Sequence, residues 1–297
     1  MYVVAGVTGN TGSVAAETLL AQGKQVTVIV RSAEKGEPWK AKGAKVAISS
    51  LDDRPRMTEI LRDAEGAYLL IPPNYESANY LEGRRRLIQA LAEAVDASKI
   101  DHVVLMSSSG AHLPSGTGLI LVNHMGEEAI KKAARNLTIL RPGSFVENWA
   151  AVLGAVKANG VLPTFHSPQH KLVMIATADV GRFAAESLLN PARGRRILNL
   201  AGPQEYSPED IAQILGGLLG REVRVVNPPM TAAVPTFMKA GFSEEVARLF
   251  AEMHEAANTG KLVFEKNGAE FRRGATTPGE VLQKMLYSEG GGARPHA

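Results

Sequence analysis

The chain of 297 residues contains no cysteine. That excludes disulfides, thiol nucleophiles and cysteine-ligated zinc or iron–sulfur centres. No apolar run reaches the roughly 18 residues that a membrane-spanning helix needs. The first strand signal begins at Tyr2, which leaves no stretch for a secretory leader, so the expected placement is cytoplasmic. Basic residues are not massed either. The net charge is +3, and Arg84-Arg85-Arg86 and Arg193-Gly194-Arg195-Arg196 are short runs that read as solvated faces. A nucleic-acid partner, which requires a sustained basic stripe, is not expected. The sequence shows no clean linker, internal repeat or low-complexity segment. A Gly-x-Ser-x-Gly elbow is missing as well, which leaves a hydrolase without support. His166, His170 and Asp179 have no standard metal-ligand spacing, so no metal is expected.

What is present is ordinary globular composition, 45% hydrophobic and 21% charged, in a chain long enough to bury a full core. Strand-like and helix-like segments alternate. Strands are expected at Val3–Ala5, Gln25–Val30, Lys45–Ile48, Ala67–Ile71, His102–Met106 and Leu137–Arg141. Helices are expected near 11–22, 38–42, 54–62, 78–97 and 126–134. Repeated β-α units predict an α/β fold, a Rossmann-type doubly wound parallel sheet with helices on both faces. After Arg141-Pro142-Gly143 the character changes to helices separated by short strand candidates at 171–175, 197–201 and 223–226. Ser207-Pro208-Glu209-Asp210 has the pattern of a capped helix start, and Asp179 is expected to cap a helix over 180–189. The expected organisation is a dinucleotide-binding domain over 1–150, a smaller, mostly helical C-terminal substrate lobe over 151–289 interleaved with it, and a disordered tail over 290–297.

The first strand runs directly into Gly6-Val7-Thr8-Gly9-Asn10-Thr11-Gly12, and a helical pattern starts on the last glycine. Unpaired N–H groups and the positive dipole end at a helix start suit a diphosphate, and glycine permits the tight turn and close backbone approach. Gly6, Thr8, Gly9, Asn10, Thr11 and Gly12 are therefore candidate cofactor residues, with the three polar side chains either bonding a diphosphate or bracing the loop. NAD sites generally place an acid at the end of the second strand; here that position is Arg31, a planar cation suited to the 2′-phosphate of NADP. NADP(H) is accordingly favoured over NAD(H). Ligand sites in such sheets open at the carboxyl ends of the strands, which adds Ser50 and Leu51 beside the adenine, Ile71 and Pro72 over the middle, and Ser107, Pro142, Gly143 and Phe145 at the far end.

Gly6-x-x-Gly9-x-x-Gly12, Arg31 and the string Leu140-Arg141-Pro142-Gly143-Ser144-Phe145-Val146-Glu147-Asn148 together resemble the NmrA-like branch of the atypical short-chain dehydrogenases/reductases. The likeness covers roughly residues 1–207 by motif. It implies a Rossmann domain, a small C-terminal lobe and NAD(P) binding, in a family that includes NADPH-dependent quinone reductases, triphenylmethane dye reductases, isoflavone-type reductases and redox-sensing regulators. The Tyr-x-x-x-Lys pair of standard short-chain reductases is missing: Tyr2, Tyr68, Tyr75, Tyr80, Tyr206 and Tyr287 are followed four residues on by Gly6, Pro72, Asn79, Arg84, Asp210 and Gly291. The family places a Lys or a His before the last helix of the core. An ungapped count back from Thr138 puts Asn123 there, and a one-residue shift puts His124 there instead, so these two are the catalytic candidates, with His124 as proton donor. Glu127 and Glu128 are expected to face solvent in that helix's first turn. Phe145, Trp149 and Phe165 form either an aromatic wall for a flat acceptor or core packing. Hydride transfer to an electron-poor quinone or dye needs little from the protein beyond orientation. The expected partner is thus a small aromatic or conjugated substrate for a monomer or homodimer; the alternative is an NADP(H)-binding sensor acting through a regulatory protein partner.

Overall fold

The computed structural model describes residues 1–287; the tail expected to be disordered lies outside them. The first half alternates strictly: β1 (Tyr2–Val4), α1 (Asn10–Ala21), β2 (Val26–Val30), α2 (Ala33–Ala41), β3 (Lys45–Ile48), α3 (Arg54–Arg62), β4 (Gly66–Leu69), α4 (Tyr80–Ser98), β5 (His102–Met106), α5 (Leu121–Ala133) and β6 (Asn136–Pro142). The second half continues with β7 (Ser144–Phe145), α6 (Leu153–Asn159), β8 (Val161–Pro163), β9 (Leu172–Ile175), α7 (Thr177–Leu189), β10 (Arg195–Ala201), β11 (Glu205–Tyr206), α8 (Pro208–Leu219), β12 (Arg224–Val226), α9 (Ala233–Lys239), α10 (Glu244–Asn258), β13 (Glu270–Arg273) and α11 (Pro278–Tyr287).

Eight strands form one sheet in the order β13-β10-β6-β5-β4-β1-β2-β3, and every neighbouring pair is parallel. This is the Rossmann-type doubly wound arrangement that the β-α alternation implied. Its strands are apolar on both sides because both faces are covered: all five residues of β2 are buried. One face packs Leu19 of α1 and Val180, Ala184 and Leu188 of α7 against Val4, Val28 and Leu140. The opposite face packs Met57 and Leu61 of α3, Leu91 and Val95 of α4 and Ile130 of α5 against Val3, Val103 and Ile139. Each fully buried Leu, Ile or Val contributes about 2 kcal/mol relative to exposure.

β10 and β13 come from beyond residue 150 and complete the sheet on one side. The remaining C-terminal elements form two small sheets, β11-β9-β7 and β12-β8, over a third core that includes Trp149, Leu162, Ile211, Leu215 and Leu282. α8 starts as its sequence indicated: Ser207 and Asp210 exchange backbone and side-chain hydrogen bonds, with Pro208 at the first helical position. Asp179 does not cap a helix over 180–189. The helix begins at Thr177, and Asp179 is buried in its first turn, where it accepts from Thr276 N–H and Oγ1 at 3.0 Å each. The start of α7 is held instead by Glu147, whose carboxylate accepts from Thr177 N–H at 3.0 Å and Oγ1 at 2.6 Å. Burial pushes the Glu147 carboxyl up, against these bonds. No helix among the described residues is long and apolar enough to cross a membrane.

Candidate functional site

The chain runs outward from β1 to β2 and β3, then crosses back to β4 on the other side of β1. That reversal is a topological switch point, where a crevice opens beyond the strand ends. The glycine turn sits there. Gly6 has φ +69°, a left-handed conformation natural to glycine. Gly9 donates its N–H to Gly6 O at 2.9 Å and caps α1 in extended conformation, and no side chain caps the helix start. A Cβ on Gly12 would lie 2.5 Å from Gly6 O and 2.6 Å from Ala5 O, so only glycine lets α1 begin this close to β1. The first turn of α1 carries no acidic residue, which leaves its dipole and N–H groups uncompensated and receptive to an anion.

The polar residues of the turn divide. Thr8 and Asn10 are exposed. Thr11 is buried, and its hydroxyl shares a 2.8 Å hydrogen bond with the Tyr68 hydroxyl of β4. Thr11 therefore braces α1 against the sheet. Burial pushes the Tyr68 phenol up, so it stays neutral.

Arg31 follows β2 directly, is exposed, and makes no ion pair or hydrogen bond with the described residues. Ser50 is exposed after β3 and bonded to Asp52; Leu51 is half-buried against the core beside it. Ile71 and Pro72 are half-buried after β4. Arg84 donates to Pro72 O, and Ile71 reaches to within 3.2 Å of where a Cβ on Gly126 would lie. Pro142 ends β6, Gly143 donates its N–H to Leu200 O at 2.9 Å, and Phe145 is half-buried on β7. Because the strands are parallel, all these positions share one end of the sheet. Trp149 is buried in the third core, and Phe165 packs on Phe237 and His254.

α5 begins at Leu121, five residues before the expected start, and so carries both Asn123 and His124. Each is half-buried. His124 Nδ1 lies 3.0 Å from Ala111 O. A carbonyl only accepts, so Nδ1 carries the hydrogen and Nε2 is the ring atom left to face a ligand.

The earlier helix start overturns the solvent-facing expectation for Glu127. It occupies the second turn of α5 on the side of Ile130, fully buried, while Glu128 is exposed. Its carboxylate accepts from Ser107 Oγ at 2.6 Å and from Arg141 Nε at 2.8 Å and Nη2 at 2.6 Å. Arg141, 1% exposed, also donates Nη1 to Glu265 at 2.6 Å. Burial pushes the Glu127 carboxyl up, but Arg141, Ser107 and Lys131 outweigh it and hold the group below its ordinary range. Ser107 is thereby fixed as a donor at the end of β5. The sequence did hold a signal for this network: Arg141 ends a run of apolar strand residues, and a cation in a buried strand requires a carboxylate. Among the described residues no group of three or more His, Asp or Glu side chains could hold a metal ion.

Residues 2–281 match the NmrA-like family. The photosystem II assembly factor Ycf39 of Cyanophora paradoxa is 24% identical over 234 residues, covering 77% of this chain and 71% of the relative. The 40 kDa subunit of mitochondrial NADH-ubiquinone oxidoreductase from Neurospora crassa is 25% identical over 245 residues, 78% of this chain and 64% of that subunit. An NADPH-dependent quinone oxidoreductase of Escherichia coli, crystallised with NADPH, has a TM-score of 0.80 at 22% identity and covers 96% of this chain and 100% of its own. The triphenylmethane reductase of Citrobacter sp. complexed with NADP(H) has a TM-score of 0.81 at 18% identity, with 96% and 100% covered. At these identities the likeness establishes a shared fold.

Proposed function

The chain belongs to the NmrA-like family, and on that footing we propose that it is an NADPH-dependent reductase passing hydride to a small conjugated acceptor such as a quinone or a dye. The observation that carries this reading is the pairing of an uncapped, acid-free helix start with Arg31 one strand away, exposed and without a carboxylate partner. The donor set fits the charge of the cofactor: N–H groups for the diphosphate and a guanidinium for the 2′-phosphate. Two proteins of the same fold were crystallised with NADPH or NADP(H), which supports the same choice.

In this reading the turn from Gly6 to Gly12 holds the diphosphate through backbone N–H groups, with Thr8 and Asn10 adding side-chain donors. Thr11 contributes its N–H alone. Arg31 takes the 2′-phosphate, Ser50 and Leu51 flank the adenine, and Ile71 and Pro72 cover the middle. Ser107, Asn123, Pro142, Gly143 and Phe145 enclose the reacting end. A bound nicotinamide supplies the hydride; the protein orients it and excludes water. With its Nδ1 hydrogen committed to Ala111, His124 donates a proton from Nε2 only as the imidazolium, and otherwise accepts a hydrogen bond from the substrate. A cytoplasmic setting, where NADPH is available, belongs to this proposal. Titration with NADPH and NADH, followed by an acceptor screen at fixed NADPH, tests it: no NADPH oxidation with any quinone or dye removes the reductase assignment.

A second reading, a cofactor-binding sensor acting on a protein partner, is favoured by the relatives named as an assembly factor and as a subunit of a respiratory complex. It predicts cofactor binding without turnover and a partner whose affinity differs between NADPH and NADP. Identical partner capture in both states counts against it.

A further inference from the structure

β13 is the last strand on its side of the central sheet and pairs with β10 alone among the described residues. Backbone polar groups alternate sides along a strand. Gly274 N–H donates to Ala201 O at 2.7 Å, so the groups of Arg272 also face β10 and those of Phe271 face outward. Soluble proteins generally guard such an edge with charges standing across it. Here the charges are tied inward. Glu270 receives Arg196 Nε and Nη2 at 2.8 and 2.7 Å, Arg272 bonds Glu186 at 3.1 Å while lying over the Phe183 ring, and Arg273 donates to Gly202 O at 2.9 Å. What remains along the rim is a small aromatic and aliphatic cluster, with the exposed Arg273 guanidinium lying over the Phe271 ring, 5.0 Å from its centroid. Phe271 is 50% exposed, Val263 is 50% exposed, and Phe264 packs edge-on against Phe271 with ring centroids 5.7 Å apart.

We propose that this edge binds a second copy of the chain, strand against antiparallel strand, about a two-fold axis at Phe271. In that register the outward N–H and C=O of Phe271 bond those of Phe271 in the second copy, and the two rings form a cross-strand aromatic pair. Glu270 then lies opposite Arg272 of the second copy, and Arg272 opposite its Glu270. Along the contact the charges alternate in sign: Glu186, Arg272, then Glu270 and Arg196 of the second copy. Moving the axis to Arg272 or Arg273 sets arginine against arginine. Charge therefore selects one register, and the isologous contact closes both edges it uses. The chain's own residues 288–297 are poorer occupants, since their sequence holds three consecutive glycines and a proline, which strands disfavour.

The absence of cysteine makes the test direct. Phe271→Cys introduces the sole thiol, and opposed residues of a hydrogen-bonded antiparallel pair lie about 5.5 Å apart at Cα, inside the range of about 4.4–6.8 Å that a disulfide spans. Under mild oxidation most of this variant is expected to become a covalent dimer, whereas Tyr287→Cys, at a site 61% exposed at the end of α11 where the hydroxyl reaches Leu218 O of α8, is not. By sedimentation velocity from low to high micromolar concentration, the natural sequence is expected to dimerise. Phe271→Lys, which opposes two cations at the axis, is expected to remain monomeric with an unchanged far-ultraviolet circular dichroism spectrum. A natural sequence that stays monomeric throughout, a dimer that survives Phe271→Lys, or cross-linking no faster than in the control overturns the proposal.

Discussion

His102 opens β5 with no solvent exposure; its Nε2 lies 3.0 Å from Thr138 Oγ1 and its Nδ1 is buried without a partner. Burial depresses its pKa from 6.5 to about 4, against a smaller opposing pull from Asp101. The folded-state value lies below the unfolded one, so the folded chain binds fewer protons between them, and stability is complete above 6.5 and lost as pH falls towards 4. Integrating the linkage relation for this one group from pH 7 to pH 5 gives a loss of about 2 kcal/mol, out of a ceiling of about 3 kcal/mol reached below both values. The perturbation is His102→Gln, which keeps a polar partner for Thr138 but does not titrate. Urea unfolding of both proteins at the two pH values isolates the effect. His166 and His254, also depressed by burial, to about 3 and about 4, destabilise both proteins equally on acidification and cancel in the difference. The natural sequence should lose about 2 kcal/mol more than the variant. Equal losses refute the argument that this imidazole is neutral and desolvated in the fold.

Replacing Glu127 by Ala strands Arg141 in the interior with only Glu265, and should cost about 3–5 kcal/mol by chemical unfolding; a change below 1 kcal/mol, on the order of a surface pair, refutes the buried-network account. Arg31→Asp should weaken NADPH by at least about tenfold, or about 1.4 kcal/mol, and NADH far less, since it exchanges an attractive charge for a repulsive one. Equal losses by calorimetry would show that Arg31 does not meet the phosphate. Gly12→Ala should abolish cofactor binding and lower the melting temperature, because its Cβ meets two backbone oxygens; a variant binding NADPH normally would contradict the close approach of α1 to β1. His124→Ala should lower kcat with little change in cofactor affinity, and an unchanged kcat across the acceptor panel removes its proposed role.

The sheet from β1 to β6 was legible because each strand is a short apolar run bounded by turn residues, and the glycine turn because its spacing, strand and helix occur together. The start of α5 is not legible from local pattern. Gly126 looks like a helix boundary, yet it lies inside the helix with Ile71 against it, a tertiary constraint invisible to local pattern. A start at Gly126 puts Glu127 in the first turn instead of the second and hides its contact with Ser107 and Arg141. β13 escaped notice for a different reason: Glu270-Phe271-Arg272-Arg273 is half-exposed at an edge and has no apolar face to betray it. The Thr11–Tyr68 bond joins residues 57 apart, a pairing that no short-range spacing encodes.

β10 and β13 also set the timetable by which the molecule can form. As the chain leaves the ribosome from its N-terminus, the six strands carrying the glycine turn emerge first, with one flank of β6 bare. Arg141 then has Glu127 beside it but not Glu265, which follows 124 residues later. The nascent sheet must wait with that flank open until the final strands arrive, which makes late synthesis the interval of greatest exposure to aggregation and chaperone capture.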